Sequence, residues 1–171
     1  MKMSKDNFYF FWGGTCSQWA NFDIEINKVV YCTNEQYMMA SKAALFHDTD
    51  AYEEIMIESD PSKQKAIGRK VKNFNKDEWE EIARKVVYEA NLAKFTQHPD
   101  LYDFLMETGD KEIVEASPYD CIWGIGLGAS DERIYDRDQW RGTNWLGEAL
   151  MEVRKELISQ KLEEERKNES N

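Results

Sequence analysis

The sequence predicts one α+β domain that is mostly helical and contains a few short strands. Its 171 residues suffice for a single domain with a hydrophobic core. Hydrophobic residues make up 42% of the chain and aromatic residues 13%, which argues against disorder. Segments with the apolar spacing of helices outnumber strand-like segments, and no repeat or linker divides the chain. We expect the domain to span residues 1–162, followed by a polar, frayed tail at 163–171.

Three segments have the composition of strands. Aromatic and β-branched residues, which favour strands, dominate residues 8–12 (FYFFW) and 24–32 (IEINKVVYC). We expect these two segments to pair with each other across the intervening loop. A third short strand is expected at 111–117 (KEIVEAS).

Capping residues predict where the helices begin. Thr33 and Gln36 have the spacing of a capping box, and so do Asp77 and Glu80. Aspartates 48 and 60 are suited to cap two further helices, the second with Pro61 in its first turn. Pro99 ends one helix and begins the next, which Gly109 closes. The predicted helices are 34–46, 48–59, 60–74, 76–98, 100–108 and 144–162.

Composition excludes several classes of protein. The three cysteines lack a CxxC pair, which indicates reduced and mostly buried thiols. Two histidines give little support for a histidine metal site or a Ser-His-Asp triad, and we expect neither metal nor cofactor. The absence of a long apolar run and of a signal peptide predicts a cytoplasmic protein without a membrane partner, and we expect a monomer.

Charge is distributed unevenly along the chain. The formal net charge of −11 disfavours loose binding to nucleic acid or anionic lipid. Residues 61–76 nevertheless contain no acid and six cations, Lys63, Lys65, Arg69, Lys70, Lys72 and Lys76. Helical spacing places Lys65, Arg69 and Lys72 on one face. This face is either an ordinary solvated surface or a patch for a phosphorylated ligand.

The helix predicted at 34–46 carries two charges in apolar surroundings. Glu35 and Lys42 are its only charged residues, and seven positions place them on one face, about 10 Å apart along the axis. An unpaired buried charge is costly, so both need partners or a polar cavity. Alternatively, the helix dipole alone could stabilise the carboxylate of Glu35, and the side chain of Lys42 could extend to solvent. We prefer a shared ligand cavity, in which partial burial would make the amine of Lys42 nucleophilic.

Two loops combine tryptophan with glycine. Trp123 precedes Gly124, Gly126 and Gly128, but no helix follows directly, so a dinucleotide-binding fingerprint is rejected. Closely spaced glycines still allow backbone N–H groups to approach a ligand, with Asp120 as a polar anchor. Alternatively, the tryptophan is structural and Asp120 caps a turn. Similar chemistry occurs where Trp12 precedes Gly13, which suggests an aromatic cleft or two packing corners.

Five motifs, in this order, resemble the YbiA-like N-glycosidases of the NADAR (NAD- and ADP-ribose-associated) superfamily. They are NEQYMMASKA, IGRKVKNFNKDEWE, EANLAKFTQHPDL, IVEASPYDCIWGIG and GTNWLGEALMEVR, between Phe8 and Arg154. Each motif is weak alone, whereas the ordered set is specific. The resemblance implies a YbiA-like fold with catalytic Glu35, Lys42 and Asp120. It implies substrate-binding residues at Arg69, Trp79, Trp123, Gly124 and Asn144. From the Trp/Gly loop itself we also expect Trp12 and Gly13 to bind substrate, in a segment where the chain departs from the family pattern.

The resemblance also implies hydrolysis of the bond between ribose C1′ and a nitrogen base. The implied substrates are riboflavin-pathway ribosylamino-pyrimidine phosphates or an ADP-ribose moiety on guanine, including ADP-ribosylated nucleic acid. Either Lys42 forms a Schiff-base-like intermediate with C1′, or Glu35 activates water directly. The rival hypothesis is a non-catalytic module that binds or sequesters ADP-ribose and NAD-derived nucleotides.

Overall fold

The computed structural model describes residues 3–169. Within these residues the chain forms two compact units, one made of residues 3–12 with 98–169 and the other of residues 13–97. Helices predominate and strands are few and short, so the predicted α+β, mostly helical fold is confirmed. The placement of the domain boundary at residue 162 stays a prediction.

The unit of residues 13–97 is built around its first helix, α1. A hairpin of β1 (Ile24–Ile26) and β2 (Val29–Tyr31) precedes this helix. The helices follow as α1 (Asn34–Leu45), α2 (Thr49–Ile57), α3 (Pro61–Gly68) and α4 (Lys76–Gln97). Helix α1 packs against each of the other three helices, so it is apolar on most sides.

The unit of residues 3–12 and 98–169 has a two-stranded parallel sheet. Strand β3 (Phe8–Phe11) pairs with β4 (Glu112–Glu115), in the register Phe8 to Glu112 and Phe11 to Glu115. Helix α5 (Pro99–Glu107) precedes β4, and helix α6 (Trp145–Glu169) packs against β4. The long connection from β4 to α6 contains two 3₁₀ turns, Glu132–Tyr135 and Arg137–Gln139.

The predicted strand pairing is wrong. Instead of pairing with the first strand, residues 24–32 fold back on themselves as the β1–β2 hairpin. Asn27 and Lys28 have φ values of 53° and 66°, the two positive angles that a tight hairpin turn requires. The N-terminal strand therefore pairs with β4, which lies about one hundred residues later in the chain.

Most predicted helix starts are confirmed, whereas one predicted cap and one predicted helix end are wrong. Thr33, Asp48 and Asp60 each accept a backbone N–H as N-caps. Helix α4 is not capped by Asp77, because the helix already includes Lys76 and the Asn75 side chain accepts from the Glu78 N–H at 3.2 Å. Helix α3 ends at Gly68, so Lys72 lies outside it.

Two further expectations differ from the structure. Helix α6 continues through Glu169, so residues 163–169 are helical where a frayed tail was expected. They are rich in Glu, Lys and Arg, which have high helix propensity. The thiols are not mostly buried, since Cys16 is buried, Cys32 is half-buried and Cys121 is exposed. None of the described helices is both long enough and apolar enough to cross a bilayer.

Candidate active site

Glu35 and Lys42 both lie on α1 but differ in burial. Glu35 is only 5% exposed, in the first turn, where the helix dipole favours a carboxylate. Lys42 is half-buried, and its charge interacts with those of Glu35 and of Arg69, the residue that directly follows α3. We refer to these three residues, whose charges interact, as the α1 charge group.

Burial is the main influence on the Lys42 amine. It lowers the pKa of Lys42, and the positive charge of Arg69 also lowers it, whereas the negative charge of Glu35 raises it. The ammonium lies 4.2 Å from the centroid of the Phe74 ring. A lysine with a lowered pKa has a larger neutral fraction near pH 7, which is the form that acts as a nucleophile.

A network of buried amides fixes the start of α1. The side chain of Gln36 accepts from the Cys32 N–H at 2.7 Å and donates to three carbonyls at the end of α2. Gln64 donates to one of these carbonyls, that of Glu58, at 2.6 Å. Thr33 donates its hydroxyl to the Gln64 side chain at 2.8 Å. Glu35 therefore lies at a helix end where the side chains of Thr33, Gln36 and Gln64 are held in place by hydrogen bonds.

A second amide group lies on the other side of the same helix end. Asn34 donates to the side chains of both Gln18 and Asn91, and Asn91 donates to Gln18 at 2.9 Å. The carbonyl of Gln18 accepts from the Glu35 N–H at 3.0 Å. The amide nitrogen of Gln18 and the amide oxygen of Asn34 are buried without a hydrogen-bond partner in the structure.

The cationic segment does not form the single helical face that was predicted. Lys72, beyond the end of α3, forms an ion pair with Asp50 at 3.1 Å. Arg69 is exposed directly after α3, and the Lys65 ammonium lies 5.9 Å from the Trp19 ring centroid. The patch that could meet a phosphate is therefore smaller than the sequence predicted.

An open groove of about 540 Å³ lies elsewhere in this unit, between α2 and α3. Acidic and basic side chains both line it, including Asp50, Glu54, Lys63 and Lys70. Glu35, Lys42 and Arg69 are not among its lining residues. We therefore place the candidate site at the α1 charge group, because that group combines a buried carboxylate with an amine of lowered pKa.

The predicted residues of the other unit occupy the loop between β4 and α6. One oxygen of Asp120 accepts from the N–H groups of Ile122 and Trp123, both at 2.8 Å. This is the turn-capping role that the sequence left open, and a catalytic role for Asp120 stays a prediction. Gly124 is buried where a Cβ would crowd the Glu115 carbonyl, which explains the glycine structurally.

The tryptophans differ in exposure. Trp12 is 57% exposed, and its ring centroid lies 5.9 Å from that of Tyr119. Trp123 is half-buried and meets Trp145 edge-on at 5.7 Å. Trp79 is buried in α4, in the unit of residues 13–97. Their binding roles stay predictions.

Asn144 has a structural role that its motif did not reveal. Its amide accepts from the Glu115 N–H and donates to the Ile113 carbonyl, each at 3.0 Å, and its φ is 54°. With 2% exposure, it ties the start of α6 to the backbone of β4. Gly13 is exposed and extended, preceding a short 3₁₀ turn at Gly14–Cys16.

Sequence reasoning did not single out three residues near α1 that now matter. Phe74 stands between two asparagines in a turn, and nothing in its sequence context indicates contact with Lys42. Gln18 and Asn91 carry a weak signal, since Asn91 interrupts the buried stripe of α4. Among residues 3–169, no group of three or more His, Cys, Asp or Glu side chains could hold a metal ion.

Comparisons with known proteins agree with this fold. The sequence model of the NADAR domain matches residues 7–158. N-glycosidase R617 of Acanthamoeba polyphaga mimivirus is 43% identical over 167 residues, covering 90% of this chain and 98% of that protein. N-glycosidase YbiA of Escherichia coli K12 is 31% identical over 148 residues, covering 86% of this chain and 84% of its own.

A solved structure supports the same assignment. The NMR structure of Escherichia coli YbiA superimposes with a TM-score of 0.77 at 30% identity, covering 95% of this chain and 91% of that chain. The fold and the named relatives define an N-glycosidase, a hydrolase of N-glycosyl bonds. The chain belongs to the NADAR domain family.

Proposed function

We propose that this N-glycosidase acts on a phosphorylated ribosyl substrate and cleaves the bond between ribose C1′ and a nitrogen base. The supporting observation is that the charges of Glu35 and Arg69 both act on the half-buried amine of Lys42. Its two substrate candidates are a ribosylamino-pyrimidine phosphate and an ADP-ribose moiety on guanine. Both contain an anionic phosphate, a ribose and a base joined at C1′.

Each residue of the group has a chemical role in this proposal. Arg69, which is exposed, donates hydrogen bonds to a phosphate oxygen. The neutral amine of Lys42 attacks C1′ while the C1′–N bond breaks and its electron pair leaves with the base, which takes up a proton. The negative charge of Glu35 stabilises the positive charge that develops at C1′.

The intermediate is resolved by water. Loss of the amine proton and opening of the ribose ring give an imine between Lys42 and C1′. Glu35 then assists the addition of water to the imine carbon, and the C–N bond to lysine breaks to release the free sugar. A direct displacement, in which Glu35 activates water without a covalent intermediate, is the second route that the same residues permit.

The decisive experiment measures base release from both substrates by the parent chain, Lys42→Ala and Lys155→Ala. Lys155 is an exposed lysine on α6 and serves as the matched control. We expect Lys42→Ala to lose activity by about 10²-fold or more, since it removes the nucleophile. Full activity in Lys42→Ala would exclude the proposed role of this residue.

Borohydride trapping separates the two routes. With substrate and borohydride, the imine route predicts a reduced sugar adduct on Lys42, found by mass mapping and absent from Lys42→Ala. Turnover without an adduct would favour direct attack by water and assign the central role to Glu35. Glu35→Gln, which keeps the shape of the side chain, should be impaired in both routes.

A further inference from the structure

Phe74 lies in a turn whose backbone is fixed on both sides. Before it, the Lys72 N–H donates to the buried Asp48 carboxylate at 2.8 Å. Asn73 then adopts the left-handed conformation, with φ 58°. After it, the side chain of Asn75 caps α4. The turn therefore presents the Phe74 ring from a defined position.

The ring of Phe74 contacts two side chains at the C-terminal end of α1. It meets the buried ring of Phe46 edge-on, with centroids 5.5 Å apart and an interplanar angle of 72°. The ammonium of Lys42 lies 4.2 Å from its centroid, within the range of a cation–π interaction. Phe74 is 46% exposed, so the core does not require a ring at this position.

We propose that Phe74 is a positioning residue for Lys42: its ring holds the amine over one face and shields it from water. This inference rests on the proposed role of Lys42 as the nucleophile. It assigns a role to a residue that lies within the motif IGRKVKNFNKDEWE but that the sequence pattern did not single out.

The ring has two opposing effects on the amine. Its face attracts the positive charge and favours the ammonium, whereas its bulk excludes water and favours the neutral amine. The other charges that act on Lys42 are Glu35, on its own helix, and Arg69, at the end of α3. Leucine at position 74 would keep much of the bulk and lose the π face. Alanine would lose both.

Competitive acetylation of Lys42 across a range of pH, read by mass spectrometry, distinguishes these effects. The plateau at high pH reports accessibility, and the midpoint reports protonation. For Phe74→Leu we expect the midpoint at lower pH, with about two- to fivefold more labelling at pH 7 relative to the plateau. For Phe74→Ala we expect a midpoint at higher pH, because burial is the largest influence on Lys42.

Phe104→Leu is the matched control. Phe104 is half-buried on α5 and meets Tyr9 edge-on at 5.6 Å, so its substitution removes a comparable ring contact. The control should leave the Lys42 midpoint unchanged. The proposal is overturned when both Phe74 variants keep the parent midpoint, or when both shift it in the same direction.

Enzyme activity gives a second readout. The pH at which kcat/KM falls to half on the acidic side should shift in the same direction as the labelling midpoint in each Phe74 variant. An active enzyme in which this pH stays fixed while labelling shifts would overturn the proposal, since the held amine would not be the reacting group. Labelling that shifts as expected, with no hydrolysis of either substrate by the parent chain, would instead refute the proposed function and leave the contact between Phe74 and Lys42 established.

Discussion

Lys94 is a buried lysine that supports the candidate site from a distance. It is 1% exposed, and its ammonium donates to the Ser17 carbonyl at 3.1 Å. The rings of Phe22 and Phe95 lie with their centroids 5.4 Å from the same nitrogen. Because Gln18, the next residue, accepts from the Glu35 N–H, Lys94 anchors the loop that contacts the start of α1.

The titration of Lys94 makes a prediction about stability. Burial lowers the pKa of Lys94 to about 8, with the nearby Cys16 opposing the shift. Between this value and the ordinary lysine pKa of about 10.4, the unfolded chain binds the extra proton. The Lys94 contribution therefore makes the free energy of unfolding rise with pH in this window, by up to about 1.4 kcal/mol per pH unit.

Lys94→Met isolates this contribution. The free energy of unfolding of the parent minus that of the variant should increase from about pH 8 to pH 10, measured by urea titration at each pH. Cys16, whose pKa burial raises to about 12, is present in both proteins. The exposed Lys155→Met gives the baseline, and a difference as flat as this baseline would show that Lys94 is not desolvated.

At the scale of elements, α1 and α3 approach closely at a glycine. A Cβ on Gly68 would overlap the sulfur of Met39, which is itself buried. We expect Gly68→Ala to lower the free energy of unfolding by about 1–3 kcal/mol, because it overpacks a filled interface. In a Met39→Ala background the same change should cost clearly less. Equal costs in both backgrounds would remove Met39 as the reason for the glycine.

Helix α6 makes a contrasting prediction at its C-terminal end. Residues 163–169 are helical and exposed, so they bury little apolar surface. Deleting residues 163–171 should change the free energy of unfolding by less than about 0.5 kcal/mol, as for other exposed segments. Leu157→Ala, which truncates a buried side chain of the same helix, should cost about 2–5 kcal/mol. A deletion as costly as this substitution would contradict the exposure of the tail.

At the scale of the whole molecule, binding of a phosphorylated ribosyl ligand should be visible as stability. Because the net charge of the chain is −11, an anion must be bound by local positive charge, and Arg69 is the proposed contact. With ADP-ribose at one hundred times its dissociation constant, the free energy of unfolding should rise by about 2.7 kcal/mol. At the same ligand concentration, the free energy of unfolding of Arg69→Ala should rise by less. Lys76 forms an exposed ion pair with Glu80 in the parent chain, and Lys76→Ala should show the same rise as the parent. An equal gain in the two variants would exclude Arg69 from binding.

The sequence predicted several features that depend on neighbouring residues. Caps at Thr33, Asp48 and Asp60 determine helix starts because the side chain and the N–H groups it satisfies are only two or three residues apart. The spacing of Glu35 and Lys42 likewise follows from helix geometry alone. The ordered motifs predicted the family and the class of enzyme, both of which the comparisons confirm.

Only the tertiary structure decided which distant segments meet. Strand composition could not reveal that β3 pairs with β4, because pairing depends on loop closure and on a tight turn at Asn27 and Lys28. The surroundings of Lys42 were equally hidden: its burial and the ring of Phe74 come from a turn that the cap on α4 and the carboxylate of Asp48 hold in place. A residue's type and spacing are local properties, whereas its solvation and its neighbours are set by packing.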